Sequence, residues 1–354
     1  MLYRENGQYK TSYGADQQML PILQDRVLMG ALIAFAFIGV PLLAGDYLFL
    51  SLLIPFLILA LAALGLNLLV GYCGQISIGH AAFMAVGAYA AYNLVLRVPQ
   101  LNFLIVLVLA GLIAAVVGML FGIPSLRIKG LYLAVATLAA QFFMDWVFAR
   151  VKWFTDYAPS GSVSPAPVSL FGWKIDTPVE KYVFLLAVLI VFTLIAKNLV
   201  RGRIGRSWMA MRDMDVAAEV IGIRPVYAKL TAFAVSSFYC GVAGALWGFI
   251  HLGSWEPLAF NITLSLNLLF MIIIGGMGSI LGSYFGAFFI VVLPILLNQG
   301  PRWLGIPVST AMASHLELMI FGSLIIFFLI AEPLGLARLW AIGKEKLRLW
   351  PFPH

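Results

Sequence analysis

From residue 27 to residue 332 the chain is a succession of apolar runs, each close to the roughly 20 residues that a helix needs to cross a bilayer. The runs do not alternate polar and apolar residues, as the strands of a spanning β-barrel would. Backbone groups in hydrocarbon have to be satisfied within their own segment, so each run is predicted to be a helix. Composition agrees: 62% of the 354 residues are hydrophobic and 10% are charged, against about 25% charged in soluble domains. The expected fold class is therefore all-α, a polytopic transmembrane bundle of about ten spans.

The predicted spans cover residues 27–43, 48–70, 79–96, 103–123, 131–148, 182–200, 227–252, 262–280, 281–297 and 315–331. Residues 71–96 are broken by glycine and allow a short re-entrant piece; residues 262–297 allow either two spans or one span and a bent pair. This divides the chain into an N-terminal segment 1–26, a membrane domain 27–333 and a tail 334–354. With the N-terminus inside, Arg97, Arg150, Lys152, Lys174, Lys181 and Arg302 fall outside, and the other 16 of the 22 Lys and Arg residues fall inside, among them Arg4, Lys10, Arg127 and Lys129. Basic residues collect in cytoplasmic loops, so this bias predicts that both termini are cytoplasmic. It also accounts for the net charge of +7 without nucleic-acid binding, for which no soluble domain is available.

The external loop 149–181 holds Pro159, Pro165, Pro167, Ser160, Ser162 and Ser164. It is too short and too proline-rich for a domain of its own, and reads either as a connector or as a surface for an external partner. Cys73 and Cys240 offer no disulfide framework or metal spacing. Residues 1–26 lack the apolar core and cleavage site of a secretory signal, so the first span is expected to be retained.

One stretch interrupts the hydrophobicity. Residues 201–222 read RGRIGRSWMAMRDMDVAAEVIG, basic and then mixed in charge, within a cytoplasmic loop 201–226. A plain orienting loop explains Arg201, Arg203 and Arg206, but not the paired alanines or the closing glycine. Ser207 is expected to cap a short helix carrying Trp208 and Met211, and Asp215 a second turn that Gly222 ends. Trp208, Met211, Ala217 and Ala218 would then form a compact contact at the membrane surface.

Gly118-x3-Gly122, Gly244-x3-Gly248 and Gly278-x3-Gly282-x3-Gly286 place small residues on single helix faces for close packing. Two other clusters are denser. The first contains Gly74, Gln75, Ser77, Gly79 and His80; the second contains Gly275, Gly276 and Gly278. Glycine is costly inside a helix, so each cluster predicts a bend or an unwound stretch. Irregular backbone at membrane depth is tolerated only where it is buried in protein or lines a cavity, which makes these residues candidates for a solute pathway. For His80, and for Asn67, Asn93, Gln141 and Asn267, the competing reading is an interhelical hydrogen bond. The clusters faintly echo one another (Gly87-Ala-Tyr and Gly286-Ala-Phe), and ten spans would admit an inverted five-plus-five arrangement.

Ionisable groups are scarce at span centres; Asp145, Glu256, Glu317 and Glu332 fall near ends. Ion-coupled carriers place such groups inside the membrane. The chain also lacks a G-x-x-x-x-G-K-[ST] phosphate loop. Together these features predict a non-enzymatic transport chain whose driving force enters from a partner.

Three blocks carry a family resemblance: GLNLLVGYCGQISIGHAAFMAVGAY at 65–89, GRSWMAMRDMDVAAEVIGI at 205–223 and IIGGMGSILGSYFGA at 273–287. The chain resembles permease subunits of ATP-binding-cassette importers of the branched-chain amino acid type (LivM-like), over most of residues 27–340. The resemblance implies that Gly205, Arg206, Trp208, Met211, Arg212, Asp213, Ala217, Ala218 and Gly222 belong to the loop that docks on the ATPase. The paired alanines and the glycine four residues on are present, the Ile-x-Leu-Pro ending is absent, and the acidic residue, Glu219, follows the alanines. It further implies a bacterial inner-membrane complex with a second related permease, two ATPase subunits and a periplasmic solute-binding protein, and no cofactor in this chain beyond its lipid surroundings. The solute would be a branched-chain amino acid or a related small molecule. The alternative is a stand-alone channel or facilitator for a solute such as urea, which needs no docking element.

Overall fold

The structure is a computed structural model that describes residues 11–12, 23–126, 130–158, 161–170, 172–303, 310–332 and 334–349. The rest of 1–26, the basic residues Arg127 and Lys129, the loop residues Pro159 and Ser160 and the end of the tail, 350–354, lie outside it.

The described chain is helical, with one two-residue antiparallel β-hairpin, β1 (Ser169–Leu170) and β2 (Trp173–Lys174), in the predicted external loop. The helices are α1 (Asp25–Leu43), α2 (Asp46–Tyr72), α3 (His80–Arg97), α4 (Phe103–Gly122), α5 (Leu131–Arg150) and α6 (Pro178–Arg201). Two short helices follow, α7 (Arg203–Asp213) and α8 (Asp215–Val220). The second half holds α9 (Pro225–Leu252), α10 (Ile262–Gly275), α11 (Ile280–Trp303), α12 (Thr310–Ala331) and α13 (Gly335–Leu349).

Among the described residues, eight helices are long and apolar enough to cross a membrane, which makes the fold an all-α polytopic membrane bundle. The predicted spans 79–96 and 315–331 correspond to α3 and α12, of 18 and 22 residues. His80, Asn93 and Arg97 lower the hydropathy of α3. At 1.5 Å per residue it is still about 27 Å long. In the 262–297 region the chain makes two helices separated by a break at 276–279, and in the 71–96 region a break at 74–79 separates α2 from α3.

Three of the helices, α4, α6 and α10, begin with a side-chain cap. Asn102 Oδ1 accepts from Leu104 N (3.0 Å) at α4, and Asn261 Oδ1 accepts from Leu264 N (3.1 Å) at α10. At α6 Thr177 Oγ1 accepts from Glu180 N (3.3 Å) while Glu180 Oε2 accepts from Thr177 N (3.2 Å), a reciprocal capping box.

The core forms around α9, which packs on α2, α3 and α4. Small residues make this approach possible. A methyl group at Gly87 would land on the backbone of Gly241, one at Gly244 on the backbone of Met84, and one at Gly118 on the Ser237 side chain. The predicted glycine stripes therefore serve helix packing. At the other extreme, α1 buries none of its apolar window, and Leu28 and Leu42 are 72% and 79% exposed. Such side chains are at home in lipid.

Gly87→Ala is expected to lower the melting temperature of the detergent-solubilised protein, because overpacking a fitted contact costs about 1–3 kcal/mol. Gly30→Ala, where a methyl meets nothing within 4 Å, should leave it unchanged. Tryptophan-fluorescence melting distinguishes the two; equal midpoints would contradict the α3–α9 contact.

Candidate functional site

The two glycine clusters are brought together. In the first break Gly74 has φ +72°; in the second Gly276 and Gly278 have φ +122° and +76°. These are backbone conformations that side chains with a Cβ rarely adopt. Asn67, fully buried in α2, ties that helix to the second break: its Nδ2 donates to Ser279 O (2.8 Å) and to Ser283 Oγ (2.9 Å), and its Oδ1 accepts from Gly278 N (2.8 Å). The backbones touch as well, since a methyl at Gly71 would meet Gly278 N. Gly275 and Gly276 are buried in this junction, against Gly282 and against Leu334 at the start of α13.

Residues 74–79 are six residues outside helical geometry, enough chain to cover up to about 20 Å. They lead to a helix start inside the protein. The first free amides of α3 are satisfied by side chains from other helices: Ala81 N donates to Ser265 Oγ (2.8 Å) of α10, and Ala82 N to Gln141 Oε1 (2.7 Å) of α5. Gln141 Nε2 in turn donates to Phe260 O (2.8 Å) and Asp145 Oδ1 (3.0 Å). Just upstream, Ile78 N donates to Thr137 Oγ1 (3.0 Å). An interior helix end without such partners would leave several backbone donors unmet.

The residues of the first cluster divide. His80 is 1% exposed, with Nδ1 2.8 Å from Ser77 Oγ and Nε2 2.8 Å from Ser236 Oγ of α9. Ser77 and Gly79 are likewise buried, Gly79 against Thr137. These three pack inward, and the interhelical hydrogen-bond reading is the one His80 fits. Gly74 is exposed, and Gln75, Ile76 and Ile78 are half-buried, so this is the side of the unwound stretch that remains accessible. Thr137, Ser236, Ser265 and Ser283 were not distinguishable in the sequence. Serine and threonine in an apolar helix can bond their own backbone, so composition does not reveal which ones reach across.

The surface element α7–α8 sits directly on the junction. Arg212 Nη1 donates to Gly71 O (2.9 Å), while its Nε and Nη2 each lie 3.0 Å from Asp213 Oδ1. Methyl groups placed at Gly74 and Gly278 would stand 3.0 Å and 3.1 Å from Arg212 side-chain atoms. Trp208 is 0% exposed, and its Nε1 donates to Thr231 Oγ1 (3.1 Å) of α9. Met211, Gly205 and Ala218 are buried beside it. Trp208, Met211 and Ala218 thus anchor the element to the bundle and are not its outward contact. The outward face is apolar too, with Val216, Val220 and Ile221 at 65%, 84% and 74% exposure, flanked by Ala217 and Glu219. Arg206 and Asp213 are exposed at its edge.

The capping differs from expectation. Gly202 precedes α7, which places Ser207 within the helix, where its Oγ donates to Ile204 O (2.6 Å). Asp215 is the first residue of α8 and Met214 the cap position. Gly222 does close α8: at φ +91°, its N donates to Glu219 O (3.0 Å) and Ile223 N donates to Ala218 O (3.0 Å). This is the paired bond pattern of a glycine-terminated helix. No group of three or more His, Cys, Asp or Glu side chains able to hold a metal occurs among the described residues.

A spanning bundle with two broken helices pinned beneath an amphipathic surface element has the architecture of a membrane transport subunit. Residues 48–329 match the family described as branched-chain amino acid transport system / permease component, and the chain belongs to that family. It is 31% identical over 304 residues to the high-affinity branched-chain amino acid transport system permease protein LivM of Salmonella typhimurium and to that of Escherichia coli. In both cases the match covers 79% of this chain and 68% of the relative. A probable branched-chain amino acid transport permease protein LivM of Methanocaldococcus jannaschii is 22% identical over 313 residues, covering 78% of this chain and 89% of the relative. These relatives are transport components and not enzymes. No solved structure matches the chain.

Asn67→Leu removes all three bonds that tie α2 to the second break and to Ser283. Leaving buried groups unmet costs about 1–3 kcal/mol each, and the effect should concentrate at the junction. Amide exchange at 276–279 is expected to accelerate more than exchange in α4; uniform acceleration would refute a local clamp.

Proposed function

We propose that this chain is the permease subunit of an ATP-binding-cassette importer, forming half of the translocation pathway for branched-chain amino acids or a related small amphipathic solute. The observation that carries the reading is the α7–α8 element, locked inward by Trp208 and Met211 and presenting an apolar outer face at Val216, Val220 and Ile221. Its partners are a second related permease, two ATPase subunits and an external solute-binding protein. The bundle lies in a bacterial inner membrane with about ten spans and both termini cytoplasmic, as the charge bias favours. Residues 1–26 and 334–354 are its cytoplasmic ends, 201–226 the coupling loop and 149–181 the external loop.

In this mechanism the ATPases close on binding ATP and displace α7–α8. Arg212 transmits that displacement to Gly71 and the two breaks, which are the parts of the bundle free of helical bonding and so the parts able to rearrange. The accessible side of 74–78, with Gln75 as its uncharged polar group, is the stretch of the pathway supplied by this chain. This chain contributes no catalysis and holds no cofactor; ATP is bound by the partner subunits.

Val220→Asp and Ile221→Asp place a charge on the outer face without touching the anchor. Each should reduce ATPase copurification and solute uptake by more than about tenfold, since a lone charge in an apolar interface costs several kcal/mol. Normal copurification and uptake would eliminate this face as the docking surface. The outer positions are the cleaner test because Ala218 is only 2% exposed, so Ala218→Asp would also disturb the anchor.

Arg212→Ala should leave the ATPase subunits bound and hydrolysing ATP while uptake per ATP falls, with partial recovery in Arg212→Lys. An unchanged ratio of uptake to hydrolysis would remove Arg212 from the transmission path.

A further inference from the structure

Three buried polar atoms without partners belong to residues of one aromatic neighbourhood, at the end of the bundle away from α7 and α8. Asn93 lies about 20 Å along α3 from His80, at 1.5 Å per residue. Tyr89 and Asn93 stand one turn apart on the same face of that helix. Tyr89 stacks on Phe148 with ring centroids 4.4 Å apart and meets Trp255 edge-on at 6.3 Å. Tyr92 and Phe249 close around Trp255 at 6.2 Å and 5.7 Å. The result is an aromatic box in which Tyr89 is 0%, Trp255 3% and Asn93 6% exposed.

Within it the Tyr89 hydroxyl, Asn93 Oδ1 and Trp255 Nε1 have no hydrogen-bond partner among the described residues. Among the described residues Ser237 Oγ shares that condition, and a buried Glu332 carboxylate oxygen has its ion pair with Arg338 Nη1 (3.2 Å) in place of a hydrogen bond. Asn93 is held in place by its other end, Nδ2 donating to Tyr89 O (2.9 Å) and Phe154 O (3.1 Å). Unmet polar groups are expensive in a packed interior, and three in one cluster call for a reason. We propose that this box is a solute-contact site, which takes a small molecule with an apolar body and both N–H donors and oxygen acceptors. The indole N–H donates, the amide oxygen accepts and the phenol does either, while Phe148 and Phe249 supply apolar walls.

A second feature points the same way. Trp255 is also a wall of a cavity of about 400 Å³ lined by Ser162, Ser254, Glu256 and Leu258. One indole therefore belongs both to the wall of an open cavity and to the box. The segment bearing it is clamped by paired backbone bonds to Val163 (2.9 Å and 3.0 Å), and it begins at Gly253 with φ +69°. Turning Trp255 aside joins the cavity to the box. The inference rests on the permease reading for its solute, an amino acid with an apolar side chain.

Tyr89→Phe removes one unpaired oxygen and leaves the ring packing intact. As a mere structural flaw that oxygen is dispensable, so the variant should melt at the same temperature as the parent or higher. As a solute contact its loss should raise the half-saturating leucine concentration for uptake about tenfold in proteoliposomes holding the full complex. Trp255→Phe should act in the same direction. A parent-like leucine dependence in Tyr89→Phe overturns the proposal and leaves these atoms to buried water. A parent chain that copurifies with no ATPase strikes the permease reading instead. The box is then judged on the detergent-solubilised chain alone, where millimolar leucine should raise the melting temperature of the parent and not of Tyr89→Phe. No shift in the parent overturns the proposal.

Discussion

In hydrocarbon, a stretch of backbone that leaves helical geometry needs a partner for each exposed N–H and C=O. This bundle leaves helical geometry twice near one point: Thr137, Ser265 and Gln141 take amides at the first break, and one buried side chain, Asn67, serves the second. Asn67 uses the Nδ2 end of its amide on Ser279 and Ser283 and the Oδ1 end on Gly278 N. The glycines at 71 and 278 let the α2 backbone and the second break come close enough for that amide to reach across. Once they are joined, the position of α10 and α11 relative to α2 is fixed, and the surface element has a floor to rest on. Arg212 bonds at the same place, to Gly71 O.

Much of this was legible from residue type and spacing. Long apolar runs fix helices, because lipid removes the alternatives. Dense glycine at 71–79 and 275–282 marked both breaks, because glycine inside a helix is otherwise a cost without a return. The closing role of Gly222 followed from its place after a short helical stretch. What the sequence could not convey was direction. Trp208 and Met211 looked like a contact because they are large residues in a polar loop, yet the same property drives them into the bundle, where Thr231 meets the indole N–H. Ser207 has the chemistry of a cap, but Gly202 breaks the chain earlier and the helix begins before it. His80 has the chemistry of a ligand, and two hydroxyls far apart in sequence occupy it. For Trp208 and His80 the outcome depends on a partner from another helix, and a single sequence does not state which helices are neighbours.

The α7–α8 element carries apolar groups on both sides. The buried side is a fixed joint: an indole hydrogen bond, a methionine and an alanine with 2% exposure. The outer side is a patch of Val216, Val220 and Ile221 bounded by charged residues. In the importer reading this separation is what a coupling device requires. A loop attached only by solvated charges would absorb a partner's movement in its own flexibility. One whose tryptophan is buried and whose α8 terminates in a fixed glycine turn passes that movement on.

The same logic extends along α9. That helix begins three residues after Gly222, holds Thr231 beneath Trp208, and reaches Leu252 just before Trp255. Between those ends it is locked to α3 by contacts with no room for a methyl group, at Gly87 with Gly241 and at Gly244 with Met84. Two helices packed that closely can tilt or slide as a unit but cannot separate without losing the contacts of the core. A displacement entering at Trp208 is then delivered to the far end through α9, and to Tyr89 and Asn93 through α3. The unmet polar groups therefore lie at the place where the closely packed pair α3 and α9 would express a movement begun beneath the opposite face. Stiffness in the middle and irregular backbone at the ends is the arrangement by which a packed bundle can hold two discrete states, because its joints can change while its core does not.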